Sequence, residues 1–537
     1  MRVVIFSMPL TWADSIYVLI SPGRRLRPRS YHLLHFSQDP RCYRFIRNKP
    51  TAPGLTDQDK YDLLQYLGLK IMSSRTLSHR FICAAMLLVF AILASSRVQA
   101  APSTYAVKAP DRLQNYIKID TINPPGNESR GVKFLSAILE EAGISYETVE
   151  SAPGRGNIWA RLEGGNEPAL VLLSHIDVVP ADAKYWDVDP LSGAVKNGYI
   201  YGRGAIDTKG LGITQLQAFL ALHASGKKLK RDVIFMATAD EEAGGFFGAG
   251  WLVENRPEIF EGVGYLINEG GSGRITTGKP VFRVEVTQKV PLWLKLTALD
   301  TPGHGSSPRV TSSVTRILRA GHRIADTTFE YRVIPAVRTL FQSSAEFRSG
   351  ELRTKFERID ESIKDPVFMT ALQLREPGSV ALLHNTCSIT RLSGSNKINV
   401  VPPTASIELD CRLLPDQDPE AFLTELEHII NDEQISIETI MGFTPAVSDT
   451  STPLYESIER VLTLHYENMK AVPSVSTGFT DSHFFRDINI TSYGFGPFLF
   501  EENEKTGVHG NNERISIENM IKGTEIMTDF VMDFAVE

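Results

Sequence analysis

Two kinds of apolar pattern divide this chain. In its first half, runs such as Leu170–Leu173 and Val233–Ala237 are continuous and apolar. A strand covered on both faces has that pattern, as in a parallel sheet. Between them, Thr208–Ser225 has a helical period, with Ile213, Leu216 and Leu220 on one face and Gly226 as the stop. Pro110 to Gly143 predicts a helix, a Pro124-Pro125-Gly126 turn and a second helix. From Tyr146 to Glu269 strands and helices alternate. The predicted unit is an α/β domain with a doubly wound, mostly parallel sheet.

After Gln288 the period changes. Pro291-Leu-Trp-Leu-Lys-Leu-Thr-Ala alternates as a half-exposed strand does. Helix Ser312–Thr328, a strand pair Asn399–Arg412 around Pro402-Pro403, helix Pro419–Asn431 and strand Ile435–Ile440 follow. That order predicts an α+β sandwich of the split-βαβ type. Residues 329–386 form a helical insertion to which the pattern gives no place. From about Thr452 the α/β pattern resumes, and an amphipathic helix runs from Ile515 to Phe534. The second domain is therefore inserted in the first. Residues 101–288 and 447–537 form the first domain, and 289–446 form the inserted one.

Charge sets the N-terminal region apart. Residues 1–100 carry 14 Lys/Arg against 5 Asp/Glu, a net of +9; the remainder carries 42 against 58, a net of −16. An acidic body argues against non-specific binding to nucleic acid. Met72-Ser-Ser-Arg75-Thr-Leu-Ser-His-Arg80 is basic, Phe81–Ala94 is an apolar run of 14 residues, and small residues precede a cut at Ala100/Ala101. That succession is a secretory signal peptide at 72–100, and it implies a periplasmic or secreted body. The alternative is a membrane anchor formed by 81–94, a run short of the roughly 20 apolar residues of a spanning helix. Residues 1–71, without a Glu or a sustained period, are expected to be a doubtful extension or disordered leader, with translation starting at Met72. The body's two cysteines, Cys387 and Cys411, are expected to be buried free thiols, with a bridge between them as the alternative.

Five patches bear metal-type ligands. They are His175-Ile-Asp177, Asp207 in Gly202-Arg-Gly-Ala-Ile-Asp207-Thr-Lys-Gly210, Glu241-Glu242, Glu269-Gly-Gly271 and His509 in Gly507-Val-His509-Gly510. Three follow apolar runs, and an open α/β sheet places its site beyond the carboxyl ends of its strands. Each patch alone has a bland explanation. His175 and Asp177 could be a satisfied buried pair, and Asp207 a helix cap. Two adjacent carboxylates at a buried strand end are costly without a cation or shared proton. Successive side chains diverge, so one of Glu241 and Glu242 can ligate while the other moves protons. Two imidazoles with several carboxylates form a nitrogen/oxygen set suited to zinc, and cobalt or manganese fits it too.

These motifs resemble the two-zinc metallopeptidase family of aminoacylases, carboxypeptidase G-type and carboxypeptidase S enzymes. The resemblance spans nearly all of 105–537. Gly303-His304-Gly305-Ser-Ser-Pro308, His509-Gly-Asn-Asn-Glu-Arg and the Gly494-Phe-Gly-Pro497 turn are most similar to the carboxypeptidase S branch, which also holds secreted N-acyl-amino-acid hydrolases. The resemblance implies two zinc ions per chain sharing Asp207, with a cis peptide after it. His175 and Glu269 would complete one site, and Glu242 and His509 the other. Asp177 would orient His175, and Glu241 would be the general base. His304 and Asn399 would reach substrate or the oxyanion, His304 across a homodimer formed through the inserted domain, or lid. Arg412 would hold the substrate carboxylate. Gly478-Phe-Thr-Asp481-Ser-His483 departs from the family turn, which usually carries Arg where His483 stands.

The expected reaction is hydrolysis of an amide next to a free carboxylate. The expected type is a carboxypeptidase acting on short peptides, and the alternative is an aminoacylase acting on N-acyl amino acids. A zinc-bound binding protein without turnover is the reading of another class, and Glu241 counts against it.

Overall fold

The computed structural model describes residues 102–537. Before them it describes only the backbone of Arg2–Ser7, Ser15–Ser21 and His32–Ser37, which pair as a separate antiparallel sheet. The signal peptide at 72–100, its anchor alternative at 81–94 and most of 1–71 lie outside the described residues. Among the described residues no helix is long and apolar enough to cross a membrane.

The catalytic domain is built on a ten-stranded sheet. Its centre is parallel: Thr491–Gly494, Val263–Asn268, Glu167–His175 and Arg231–Thr238 lie side by side in that order. One end of the sheet is antiparallel, and the other mixes antiparallel and parallel pairs. The continuous apolar runs have a direct cause. Leu170 and Leu172 enter the core on one face, with Val233, Phe235 and Ile267. Val171 and Leu173 enter the core on the other, with Ile234, Met236 and Leu266. Successive residues of a strand point to opposite faces, and each of these faces is covered. Burying each such side chain contributes about 1.5–3 kcal/mol.

The helix expected at Thr208–Ser225 spans Lys209–Ser225 and ends on Gly226 in the left-handed region at φ +58°. It shows one apolar face in the sequence, yet every residue from Lys209 to Leu222 is buried. It is wedged between the sheet and the helices Thr104–Ile117 and Ile517–Ala535, so its polar residues need internal partners. Gln215 donates to the Ile267 carbonyl, and Lys209 donates to the carbonyls of Tyr116 and Ile119.

The lid is the split-βαβ sandwich. Its four antiparallel strands run in the order Thr386–Ser393, Thr404–Leu413, Val290–Leu299, Ile435–Gly442. Helices Ser313–Asp326 and Pro419–Ile430 cover one face through Ile317, Ile324, Phe422 and Leu426. The strand pair expected within Asn399–Arg412 is corrected. Thr404–Leu413 is a strand, but Val400–Val401 pairs with Gly303–His304, and the missing lid strand is Thr386–Ser393. That register sets Cys387 directly opposite Cys411, and the two are joined in a disulfide, not left as free thiols.

The insertion also finds its place. Its helices, beginning with Pro335–Ala345, pack Val337, Phe341, Phe356 and Leu372 against Val281, Val472 and Val475. Those three valines belong to the catalytic sheet, whose strands Lys279–Gln288 and Lys470–Ser476 run parallel there. The insertion thus leans on the catalytic domain although the chain reaches it through the lid.

Candidate metal centre and active site

The five patches converge. His175 ends its strand, the Asp240–Glu242 turn follows Arg231–Thr238, and Glu269 follows Val263–Asn268, all at the carboxyl edge of three adjacent parallel strands. Asp207 lies between two imidazoles: Oδ1 is 3.0 Å from Nε2 of His175, and Oδ2 is 3.0 Å from Nε2 of His509. His175 Nε2 is 3.5 Å from Glu269 Oε1, and His509 Nε2 is 3.1 Å from Glu242 Oε2. The ligands therefore fall into two groups that share Asp207. The peptide Asp207–Thr208 is cis. Glu241 Oε2 lies 3.9 Å from His175 Nε2, too far for a hydrogen bond.

Burial raises the carboxyls of Glu241, Glu242 and Glu269 above their usual range, and neighbouring carboxylates add to it. Burial opposes the protonation of His175, yet Glu269, Asp177, Asp207 and Glu241 together carry it well above the ordinary imidazole value. Hydrogen bonds to Asp207 and Glu242 bring His509 to about 10. Burial likewise works against ionised Asp207, but the two imidazoles hold it below the usual carboxylate range. Four crowded carboxylates and two imidazoles leave an excess of negative charge. Buried Glu242 Oε1 has no hydrogen-bond partner among the described residues. Both features, with the nitrogen/oxygen donors, fit divalent cations of the zinc type.

The support beneath these ligands is more specific than the sequence disclosed. His175 Nδ1 is 2.9 Å from the main-chain carbonyl of Asp177 and 3.5 Å from its carboxylate. The carbonyl is thus the hydrogen-bond acceptor, and it leaves Nε2 free to ligate. The Asp177 carboxylate serves the Asp240–Glu242 turn instead, accepting the N–H groups of Glu241 at 3.2 Å and Glu242 at 3.1 Å. Asn123 Nδ2 donates to it at 2.8 Å.

Glu513, which the sequence reading quoted but gave no role, holds the Asp207 loop. It accepts from the N–H groups of Gly204, Ile206 and Asp207, and Arg203 pairs with it at 2.7 Å. Asp481 was likewise quoted without a role. It is buried beside the cluster, accepts from Thr238 Oγ1 at 3.1 Å, and burial pushes it up to about 7. A Cβ at Gly245, which has φ +75°, would lie 2.3 Å from its Oδ1, so the glycine leaves room for this carboxylate. His483 is stacked on Phe443 with ring centroids 3.6 Å apart, and neither ring nitrogen has a hydrogen-bond partner among the described residues.

Three expected site residues stand apart from the ligands. His304 and Asn399 are exposed on the lid, where His304 faces Val400 and the N–H of Gly305 donates to the Asn399 carbonyl at 2.9 Å. Among the described residues, neither side chain contacts the ligand cluster. Arg412 pairs with Asp410 at 2.7 Å, lies 5.5 Å over the ring of Phe479, and keeps one buried NH group without a partner among the described residues.

A carboxylate and imidazole cluster at the carboxyl edge of a parallel sheet, with a split-βαβ lid inserted in the domain, defines a metal-dependent hydrolase. The chain belongs to the peptidase family M20/M25/M40, whose model matches residues 171–533. It is 32% identical to the N-fatty-acyl-amino acid synthase/hydrolase PM20D1 of Xenopus tropicalis, over 67% of this chain and 71% of that one. It is 25% identical to aminoacylase-1 of Mus musculus, over 79% of this chain and 94% of that one. The M20 family metallo-carboxypeptidase Sso-CP2 of Sulfolobus solfataricus has the same fold, with a TM-score of 0.63 and 19% identity, over 80% of this chain and 99% of that one.

Proposed function

We propose that this protein hydrolyses N-acyl amino acids, cleaving the amide bond next to a free carboxylate. Glu241 carries the reading: a buried carboxylate beside two metal-ligand groups, with no basic side chain within hydrogen-bonding distance among the described residues. The names of the relatives PM20D1 and aminoacylase-1 support the acyl-amino-acid class over a carboxypeptidase acting on short peptides. The latter stays as the second reading because both substrates present the same amide and carboxylate.

His175, Asp207 and Glu269 would hold one divalent cation, and Asp207, Glu242 and His509 the other. Such ions supply Lewis acidity to an amide carbonyl and acidify water toward neutral pH. Glu241 takes a proton from water as its oxygen bonds to the carbonyl carbon. It delivers that proton to the nitrogen as the C–N bond breaks, which leaves a carboxylic acid and an amine. Arg412 grips the substrate carboxylate with the NH group that Asp410 does not engage.

His304 and Asn399 come from a second copy of the chain. Their exposure away from the ligands supports this. So does the lid's edge strand Thr386–Ser393, which leaves Ile389 and Leu392 in water. Export through the leader at 72–100 is supported by the Cys387–Cys411 bridge, because such bonds persist outside the reducing cytosol. N-terminal sequencing of the secreted protein should begin at Ala101; an intact leader would refute cleavage.

The deciding experiment is hydrolysis of N-acyl amino acids and dipeptides by zinc-loaded residues 101–537, beside Glu241→Gln. Turnover by wild type, lowered about 10²–10⁴-fold in the variant with zinc retained, is expected. Zinc binding without turnover on any member would sink the proposal.

A further inference from the structure

Three buried carboxylates gather behind the turn that carries Glu241 and Glu242. They are Glu128, Asp177 and Asp240. One cation serves them. Arg155 Nη1 lies 2.6 Å from Glu128 Oε1 and 3.3 Å from Asp240 Oδ1, and its Nη2 donates to Asn123 Oδ1 at 3.0 Å. Asn123 extends the contact: its Nδ2 donates to Asp177 Oδ2 at 2.8 Å and to Asp240 Oδ1 at 3.2 Å. Among the described residues no other Lys or Arg pairs with any of the three. A Cβ at Gly126 would lie 2.3 Å from Arg155 Nη1, so the glycine leaves room for the guanidinium.

The same short segment closes the loop that follows Ala239 at both of its ends. Asn157, two residues after Arg155, accepts the N–H of Ala239 at 2.9 Å and donates to the carbonyl of Phe247 at 3.1 Å. Asp240 Oδ2 accepts the N–H of Phe247 at 3.1 Å. Asp240 is itself in the left-handed region at φ +69°, a conformation that a residue with a Cβ keeps where its surroundings fix it. Its Oδ1 is fixed by Arg155 and Asn123, and its Oδ2 by the backbone. Asn157 secures backbone groups and carries no charge. Arg155 differs, because removing a guanidinium from beside buried carboxylates leaves their charge uncompensated. Asp177 and Asp240 would then repel across Asn123. Both hold N–H groups of this loop, so the strain falls on the peptides of Glu241 and Glu242.

We propose that Arg155 is a positioning residue for hydrolysis: through Asp240 and Asn123 it fixes the turn that aims Glu241. It acts on the base without touching substrate or a metal ligand. The inference rests on the amidohydrolase reading above and adds to it a cation outside the ligand set.

The test measures kcat, KM and zinc content on one N-acyl amino acid for zinc-loaded wild type, Arg155→Lys and Arg155→Ala. Arg155→Ala should lose about 10- to 100-fold in kcat with KM and both zinc ions kept, the range for a partner that orients an active-site group. Arg155→Lys, whose single ammonium cannot meet Glu128, Asp240 and Asn123 in the geometry of a planar fork, should fall between. Guanidinium ion, at concentrations that leave wild type unaffected, should restore part of the kcat of Arg155→Ala and none of that of Glu241→Gln. If Arg155→Ala does not fold, Arg155→Lys carries the same test. A folded, zinc-loaded variant with wild-type kcat overturns the assignment, as does a loss of kcat that merely follows lost zinc or lost folded protein. Wild type without turnover on any N-acyl amino acid or dipeptide sinks the amidohydrolase reading instead. Amide hydrogen exchange then decides the positioning role. Faster exchange confined to Glu241 and Glu242 in Arg155→Lys supports it; exchange that is unchanged, or raised throughout the domain, refutes it.

Discussion

Asp177 holds the peptide of Glu241. Its Oδ1 accepts that N–H at 3.2 Å, while its own main-chain carbonyl, not its side chain, is the near partner of His175 Nδ1. The two jobs can be separated by one substitution. Asp177→Asn keeps the carbonyl, so the imidazole keeps its tautomer and zinc should stay bound. The amide has one acceptor oxygen for two N–H groups, and its NH₂ can meet the donating Asn123. The base turn should loosen, and kcat should fall about 10- to 100-fold at full zinc content. Steady-state kinetics beside metal analysis checks this; loss of zinc at unchanged kcat per zinc would return Asp177 to the imidazole.

Glu513 offers a second separation, between fold and ligand. Its carboxylate accepts four donors, three from the backbone of the Asp207 loop and one from the buried Arg203. Glu513→Gln puts an NH₂ among those donors and leaves the guanidinium without its charge partner. Breaking a buried pair from one side costs about 3–5 kcal/mol. Chemical denaturation should show that loss in apoprotein and holoprotein alike. A variant as stable as the wild type would mean that the loop holds itself.

Lys289 gives a pH dependence with a definite sign. It is buried and donates to the carbonyls of Ala381 and His384 at 2.8 and 2.5 Å. Burial, with Arg412 and Arg332 nearby, lowers it from 10.5 to about 7. Between those values the unfolded chain binds a proton that the folded chain does not. Stability from this group therefore rises as pH goes from about 7 to about 10.5. The difference in unfolding free energy between wild type and Lys289→Met should grow over that window by on the order of a few kcal/mol. A difference flat across the window would show that the folded lysine keeps its proton.

The parts legible in the sequence are those where one requirement acts alone. Leu170–Leu173 and Val233–Ala237 had to be apolar on both faces, so they revealed a covered parallel sheet and the strand ends that bear His175 and Glu241. The strand Thr386–Ser393 escaped because its outer half faces water: Thr390, Arg391 and Ser393 satisfy no core, and Ile389 and Leu392 are exposed. Once that strand was missed, the register opposing Cys387 to Cys411 was invisible. Asp481 and Glu513 are polar residues whose roles depend on partners hundreds of positions away, such as Thr238 and Arg203. The insertion's contact with Val281 and Val472 also joins segments that are not neighbours in sequence.

The separation of His304 from the ligands makes the most exacting prediction. If the partner copy supplies this residue, a site needs Glu241 from one chain and His304 from the other. Glu241→Gln and His304→Ala should each be nearly inactive alone. After mixing and subunit exchange, half of the dimers pair one variant with the other. In each of these, one site regains both residues while the other has neither. A two-fold dimer should then recover about a quarter of wild-type activity. The recovered rate should depend on exchange and vanish if the dimers are cross-linked before mixing. No recovery after exchange, with both variants dimeric and zinc-loaded, would mean that each lid serves its own site. His304 would then have to reach the ligands by closure within one chain.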